Sequence, residues 1–174
     1  MEREIRDLGW RFTRTSHIED GGAPMSRGNS HRLILPDLSA FRHGREASIE
    51  CKAKTAPRWM DVRKSLVHCM DERVYQHYIR YQSDHGAALI IAIFEANDTV
   101  EADTAGRKAG ITLAPNTVLC EWLSMLNVRP GTPGHERYYG GKRQVFFNRA
   151  PLRTFGLLLG RDSSNPIRQT ELFT

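Results

Sequence analysis

Two acids and a lysine, Asp37, Glu50 and Lys52, stand in the segment ILPDLSAFRHGREASIECKAK, which has the pattern of a β-hairpin. If the strands turn at His43-Gly44, Asp37 lies directly opposite Glu50. Cβ atoms of opposed residues are about 4.5–5.5 Å apart, and like charges there destabilise the pair unless something neutralises them. A divalent cation does so, and two carboxylates with water form a partial oxygen shell for Mg²⁺. The pair therefore predicts a metal site with room for a substrate phosphate.

Lys52 shares a strand face with Glu50, because side chains two residues apart point to the same side of a sheet. Its ammonium can stabilise charge on a pentavalent phosphorane or hold an attacking water. A slip of one residue would bury charge, which favours the stated register. That register places Asp37, Ser39, Phe41, Glu46, Ser48, Glu50 and Lys52 on one face, and the apolar set Leu38, Ala40, Ala47, Ile49 and Cys51 on the other.

A structural explanation competes with the metal site. An exposed hairpin face can carry these charges simply as solvated side chains, with Glu50 and Lys52 as surface neighbours. Glu-x-Lys triplets are common in proteins. The acid opposite Glu50, the proline before that acid and the setting between a helix and a buried strand favour the metal site over this alternative.

The rest of the pattern predicts an α/β protein around this hairpin. Periodicity, caps and turn residues give the order helix, strand, hairpin, helix, buried strand, helix and a β-rich tail. The helices are predicted at 3–8, 72–85 and 117–127, and the single strands at 10–15, 87–96 and 151–160. Asp71 caps the second helix and Gly86 stops it, which turns Val74, Tyr78 and Tyr81 inward.

Composition assigns the segments between these elements. Residues 16–30 predict a binding loop or mobile segment, and residues 55–70 a basic and aromatic connection. A break at 129–134 separates a core, residues 1–126, from an extension, residues 127–174, which is expected to pack on the same domain. The extension contains a second predicted hairpin that turns at Gly140-Gly141.

The charge and the cysteines indicate the class of protein. A formal charge of +5 suits a polyanionic partner such as nucleic acid. The three cysteines form no CxxC pair, and we find no secretory signal or stretch of transmembrane length. We therefore expect a reduced, cytoplasmic protein with no membrane partner. His68, Cys69 and His77 fit no common zinc spacing.

The motif Pro36-Asp37 with Glu50-Cys51-Lys52 resembles that of the PD-(D/E)XK nuclease superfamily, which has the restriction-endonuclease-like fold. The family's core order of helix, three strands, helix and strand is similar to the order predicted over about the first hundred residues. The resemblance implies an αβββαβ core with a central mixed sheet flanked by helices. It also implies a phosphodiesterase in which Asp37 and Glu50 bind Mg²⁺ or Mn²⁺ and Lys52 serves the attacking water.

The resemblance implies further site residues. In many members a glutamate on the first helix completes the metal site, and Glu2 or Glu4 could take that place. Some members, Holliday-junction resolvases among them, carry a glutamine on the helix after the Glu-x-Lys strand. Gln76 matches that position, with Tyr75 and Arg80 as neighbours, although a solvated helix position explains Gln76 equally well.

Cations on both sides of the hairpin are the candidates for binding nucleic acid, because each neutralised phosphate adds affinity through counterion release. The group that follows the Glu-x-Lys strand is favoured, although a solvated basic loop is the alternative. It consists of Lys54, Arg58, Arg63 and Lys64 with Trp59 between them. The other candidates are Arg27, His31 and Arg32 before the hairpin, and Lys142, Arg143 and Arg149 in the extension.

The leading hypothesis is a metal-dependent DNA endonuclease. No base-reading motif is found, so cleavage directed by DNA structure, or only weakly by sequence, is expected. The alternatives are a non-catalytic nucleic-acid-binding or assembly module with the same fold, and an RNA-directed nuclease. A homodimer is also expected, because many nucleases that cut both strands are symmetric; the extension is its candidate interface unless it caps the core.

Overall fold

The computed structural model describes residues 1–15, 25–27, 32–126, 128–130, 138–139 and 142–160. The helices are α1 (Glu2–Asp7), α2 (Glu72–His85), α3 (Val100–Ala109) and α4 (Phe155–Leu159), with a 3₁₀ turn at Leu123–Met125. The first strands are β1 (Arg11–Arg14), β2 (Met25–Arg27), β3 (Arg32–Ile34), β4 (Leu38–Arg42), β5 (Arg45–Lys54) and β6 (Arg58–Met60). The later strands are β7 (Ser65–Asp71), β8 (Leu89–Glu95), β9 (Thr117–Trp122), β10 (Arg129–Pro130), β11 (Tyr138–Tyr139) and β12 (Lys142–Asn148).

A five-stranded mixed sheet in the order β1-β4-β5-β8-β9 forms the centre of the fold. In the described chain, β5 and β8 are the only neighbouring strands of this sheet that run parallel. The helix α2 lies in the connection between them. The elements α1, β1, β4, β5, α2 and β8 follow the αβββαβ order. The predicted fold class, a mixed sheet flanked by helices, is therefore confirmed. Within the described ranges, no helix is long and apolar enough to span a bilayer.

The central hairpin has the predicted register. Leu38 pairs with Ile49 and Arg42 with Arg45. The turn residues His43 and Gly44 both have positive φ, at 50° and 75°, as a primed hairpin turn requires.

The apolar face of the hairpin packs in one core cluster with Ile5 of α1 and Trp10. Cys51 contacts this cluster, and burial, together with the charges of Asp37 and Glu50, raises the pKa of its thiol to about 12. Cys51 is therefore a neutral core residue, as its place in the register predicts.

A second sheet, in the order β10-β12-β7-β6, covers the opposite face of the central sheet together with α2. Met70 of β7 and Phe147 of β12 pack there against Ile91 and Ile93 of β8. The predicted connection at 55–70 is thus wrong, because most of it forms β6 and β7. Its apolar residues are buried by strands that are distant in sequence.

The extension is held to the core by backbone pairing. Residues Gln144–Asn148 of β12 pair with β7, and Arg153 forms a bridge with Cys120 of β9. Tyr138 pairs with Arg143, as the predicted second hairpin requires, although the turn residues 140–141 lie outside the described residues. Residues 161–174 lie outside them as well.

Three further assignments are wrong. Residues 117–122 form β9, not a helix, because Leu119 and Cys120 are buried on opposite faces of the sheet. Half of the strand predicted at 151–160 is α4, whose Phe155 and Leu159 are buried in the core cluster of Ile5 and Trp10. In the loop predicted at 16–30, Met25–Arg27 forms β2 and pairs with β3, and the rest lies outside the described residues.

The sequence pattern does not predict α3. The helix begins at a Thr99 N-cap and ends at Gly110 in the left-handed conformation. Its buried face is small, with Ala102 and Ala105 packed near Leu66 of β7. Because alanines give a weak hydrophobic pattern, the periodicity did not reveal the helix.

Candidate active site

Asp37 immediately precedes β4, one residue beyond the Leu38–Ile49 pair at which the described hairpin ladder ends. Its carbonyl accepts a hydrogen bond from the Thr15 N–H at 2.9 Å. Its carboxylate Oδ2 accepts one from the Cys51 N–H at 2.8 Å. The second contact crosses to β5 and fixes the Asp37 side chain beside the residues that flank Cys51, which are Glu50 and Lys52.

Glu50 is buried, with 5% of its surface exposed. Burial raises the pKa of Glu50, the neighbouring Lys52 ammonium opposes that rise, and the charge of Asp37 adds to it. The alternative of a solvated surface pair does not fit a carboxylate in this position, because burying a charge is unfavourable unless the charge is paired.

Lys52 and Tyr78 complete the polar group around Glu50. The Lys52 Nζ lies 2.5 Å from Glu50 Oε1 and donates a hydrogen bond to the Tyr78 hydroxyl at 3.2 Å. The Lys52 side chain is 29% exposed, so its ammonium borders solvent. Burial and the nearby Glu50 charge raise the pKa of Tyr78, so the phenol stays neutral.

Sequence analysis predicted Tyr78 only as a core residue. The signal that could have revealed its second role is a phenol on the inner face of the helix that follows the Glu-x-Lys strand. A buried tyrosine hydroxyl needs a hydrogen-bond partner, and the polar face of β5 is the surface that such a helix covers.

The donor set fits a divalent cation held by two carboxylates. With both acids ionised, Asp37, Glu50 and Lys52 have one net negative charge, and a divalent cation would offset it. Mg²⁺ is typically bound by one or two carboxylates, with water and substrate phosphate as the other ligands. Within the described part of the chain, no group of three His, Cys, Asp or Glu side chains could hold a metal ion.

Both candidates from α1 have described contacts outside this group, although the charge of Glu2 reaches Cys51 and adds to the rise in the pKa of its thiol. The Glu2 carboxylate accepts two hydrogen bonds from Arg14, at 2.6 and 2.8 Å, and the Arg14 contact lowers the pKa of Glu2. Glu4 borders an open depression that Asp7 and Thr154 also line. The structure therefore does not choose between Glu2 and Glu4 as a third ligand.

Gln76 lies on the exposed side of α2. Two residues further along the helix, Tyr78 makes the contact with Lys52. The structure thus places a tyrosine, not the predicted glutamine, against the acids.

The predicted nucleic-acid-binding residues lie in several places. Lys54 follows Glu50 and Lys52 on the same face of β5 and is half-buried, whereas Arg58, Lys64 and Lys142 are exposed. Trp59 donates to Asp61 at 2.9 Å and packs near Leu66. The Trp59 ring is therefore partly engaged in a hydrophobic cluster.

Two of the other predicted cations, Arg63 and Arg143, contact described side chains. The Arg63 guanidinium lies 5.9 Å from the Phe146 ring centroid, and Arg143 pairs with Glu72 at 2.8 Å. Arg32 lies in β3, but its side chain is outside the described residues, as are the Arg27 side chain and His31.

Arg149 belongs to a buried ion network and not to an exposed basic surface. Its guanidinium donates two hydrogen bonds of 2.8 Å to Glu95, which is fully buried at the end of β8. The His68 Nε2 lies 2.7 Å from the same carboxylate, and Asn97 donates to it at 2.9 Å. The network joins the central sheet to the second sheet, and sequence analysis missed it because its members are far apart along the chain.

We expect this network to make stability depend on acid pH. Burial alone would raise the pKa of Glu95, but hydrogen bonds from His68, Arg149 and Asn97 outweigh burial and lower the pKa to about 2. Because the unfolded value is near 4.5, the stabilisation is complete above pH 4.5 and is lost as the pH falls towards 2. The loss amounts to roughly 3 kcal/mol.

Urea unfolding at several pH values measures this effect. Glu95→Gln should be less stable than the wild type at pH 7 and should lose less stability between pH 4.5 and 2. Equal acid slopes for the two proteins would contradict the assignment of the slope to Glu95.

Comparison with known proteins finds similarity at the level of structure and none at the level of sequence. No family model matches the chain, and no curated protein matches it. Among solved structures it is similar to the 1.6 Å structure of Archaeoglobus fulgidus Hjc, described as a Holliday junction resolvase from an archaeal hyperthermophile. The identity is 13%, the alignment covers 85% of this chain and 82% of that one, and the TM-score is 0.45. A similarity of this size carries no argument about activity, so the fold class rests on the chain's own sheet and element order.

Proposed function

We propose that this protein is a metal-dependent nuclease that hydrolyses phosphodiester bonds in DNA. The observation that carries the proposal is the group of Asp37, Glu50 and Lys52. The buried Glu50 carboxylate pairs with the Lys52 ammonium on β5, and the Asp37 carboxylate is bound to the backbone N–H of Cys51 between them. Such a group is unfavourable for folding alone, because the two acids repel and Glu50 is desolvated. It suits a site where a phosphate and a cation complete the charge balance.

The reaction would use these side chains in distinct ways. Asp37 and Glu50 would hold Mg²⁺ or Mn²⁺, which supplies charge neutralisation at the phosphate when bound. Lys52 would direct an N–H that is not bound to Glu50 or Tyr78 towards a phosphate oxygen or the attacking water. The water oxygen would form a bond to phosphorus and lose a proton to solvent, the bond from phosphorus to the ester oxygen would break, and the leaving sugar oxygen would take up a proton from solvent.

The DNA path is proposed to leave this site along β5 towards Lys54. Lys54 shares its strand face with Glu50 and Lys52, and the exposed Arg58, Lys64 and Lys142 are further cations of the described surface. Contacts of this kind bind the phosphate backbone without reading bases. We therefore propose structure-directed or weakly sequence-specific cleavage, and the expected homodimer stays a prediction.

A panel of nucleic acids tests the proposal. Linear, single-stranded, flapped and four-way DNA and a matched RNA are incubated with the protein in Mn²⁺ or Mg²⁺. We expect cleavage of at least one DNA, complete inhibition by EDTA, and no cleavage by Asp37→Asn purified in the same way. That variant excludes a contaminating nuclease.

Two outcomes would contradict the proposal. Cleavage of RNA alone would assign the site to an RNA-directed nuclease. Binding without cleavage of any substrate, together with no heat of Mn²⁺ binding in the presence of DNA, would favour the non-catalytic module.

A further inference from the structure

Two tyrosines one helical turn apart attach α2 to the polar face of β5. The Tyr78 hydroxyl accepts a hydrogen bond from Lys52 at 3.2 Å, and the Tyr81 hydroxyl lies 3.2 Å from the Ser48 Oγ. Ser48, Glu50 and Lys52 alternate along one strand face, so the two hydroxyls contact neighbouring parts of the same surface. Only Tyr78 touches the acidic group, whereas Tyr81 makes the same type of contact at a position outside it.

The Tyr78 hydroxyl can serve Glu50 and Lys52 at once. A phenol has one proton to donate and oxygen lone pairs to accept with. Because the oxygen accepts from Lys52, the proton is available for the hydrogen bond between Tyr78 and Glu50. Tyr78 is 1% exposed and packs in the hydrophobic cluster with Ile91 and Phe147 between the two sheets, so its hydroxyl is held in one place.

Lys52 depends on the Tyr78 hydroxyl when Glu50, its other partner, binds a cation. A lysine head group sits on a flexible four-carbon stem, and in this structure its ion pair is with Glu50. If Glu50 directs an oxygen to a cation, that ion pair weakens. The Tyr78 hydroxyl and the ring, whose centroid lies 5.5 Å from the Lys52 Nζ, would still hold the ammonium.

We infer that Tyr78 is the positioning residue for Lys52, which fixes the ammonium beside the two acids through its hydroxyl. The effect on catalysis rests on the proposed nuclease function, but the effect on Lys52 does not. Tyr78→Phe keeps the ring in the core and removes only the hydroxyl. Tyr81→Phe is the matched control, because it removes a hydroxyl from the same helix and strand without contact to Lys52.

Two measurements are made on both variants of the full chain. The first is the single-turnover rate of DNA cleavage, with the DNA dissociation constant measured separately in Ca²⁺. We expect Tyr78→Phe to slow cleavage by roughly tenfold with unchanged DNA binding, and Tyr81→Phe to stay within about twofold of the wild type. The second is the rate at which acetic anhydride labels Lys52 relative to the exposed Lys142, read by peptide mass spectrometry. We expect Tyr78→Phe to raise the labelling of Lys52 by about fivefold and Tyr81→Phe to leave it unchanged.

The two measurements separate failure of the inference from failure of the proposed function. Equal Lys52 labelling in the two variants overturns the inference, whether or not the wild type cleaves DNA. A wild type that cleaves nothing overturns the nuclease proposal, and higher Lys52 labelling confined to Tyr78→Phe then still supports the positioning role. If the wild type cleaves DNA and Tyr78→Phe cleaves it at the same rate as Tyr81→Phe, the inference is overturned.

Discussion

Asp37→Asn should slow metal-dependent DNA cleavage by about 10³-fold or more, because it removes one of the two charges proposed to hold the cation. The asparagine oxygen can still accept the hydrogen bond from the Cys51 N–H, so the fold should be unchanged. The rate is measured under single-turnover conditions at saturating Mg²⁺. Calorimetric titration with Mn²⁺ should show a matching loss of metal binding.

The control for this variant is Asp84→Asn, which makes the same chemical change at an exposed position of α2. It should cleave at the wild-type rate. Lys52→Met should also lose activity, but it leaves Glu50 buried without its ammonium and will lower stability as well. If Asp37→Asn and Lys52→Met both cleave at the wild-type rate, the site assignment is wrong.

Arg149→Met should lower the free energy of unfolding by about 3–5 kcal/mol, because it leaves the fully buried Glu95 without its cation. The measurement is urea unfolding at pH 7, with the slope against denaturant checked for a two-state transition. The Arg149 side chain is 17% exposed, so solvent screening is small.

Arg153→Met provides the comparison. Arg153 pairs with Glu121 in a similar bidentate way, and the Glu121 side chain is also buried. Because Arg153 is 43% exposed and Glu121 keeps the hydrogen bond from the Trp122 N–H, we expect a smaller loss, of about 1–3 kcal/mol. Adding Glu95→Gln to Arg149→Met should recover part of the lost stability, since the unpaired charge is then gone. A loss for Arg149→Met no larger than that for Arg153→Met would contradict the assigned role of the network.

The predicted parts of the fold are those that short-range patterns encode. The register of the central hairpin follows from alternation and from two turn residues, and α2 follows from its Asp71 cap, its inward side chains and Gly86. These signals act within a few residues, so sequence reasoning can use them. They also sufficed to place Asp37 beside the Glu50 strand.

The parts that were missed depend on packing between distant segments. The β9 strand lacks alternation because it is buried on both faces, and its apolar spacing also suits a helix. The β7 strand gains its neighbour β12 from far along the chain, and the Glu95 network likewise joins three separate segments. Tyr78 acquires its second role only when α2 is laid on β5.

The pairing of β7 with β12 has a consequence for synthesis of the chain. Until residues 142–149 leave the ribosome, β7 has β6 as its partner on one side only, and its other edge is unpaired. Glu95 is then without Arg149, so the end of β8 is not yet neutralised. An unpaired strand edge can pair with strands of other chains. Contacts between segments that are distant in sequence, such as β7 and β12, form slowly. We therefore expect nascent chains that end before β12 to depend on chaperones. Pairing of β12 with β7 is expected to be the last step in forming the second sheet.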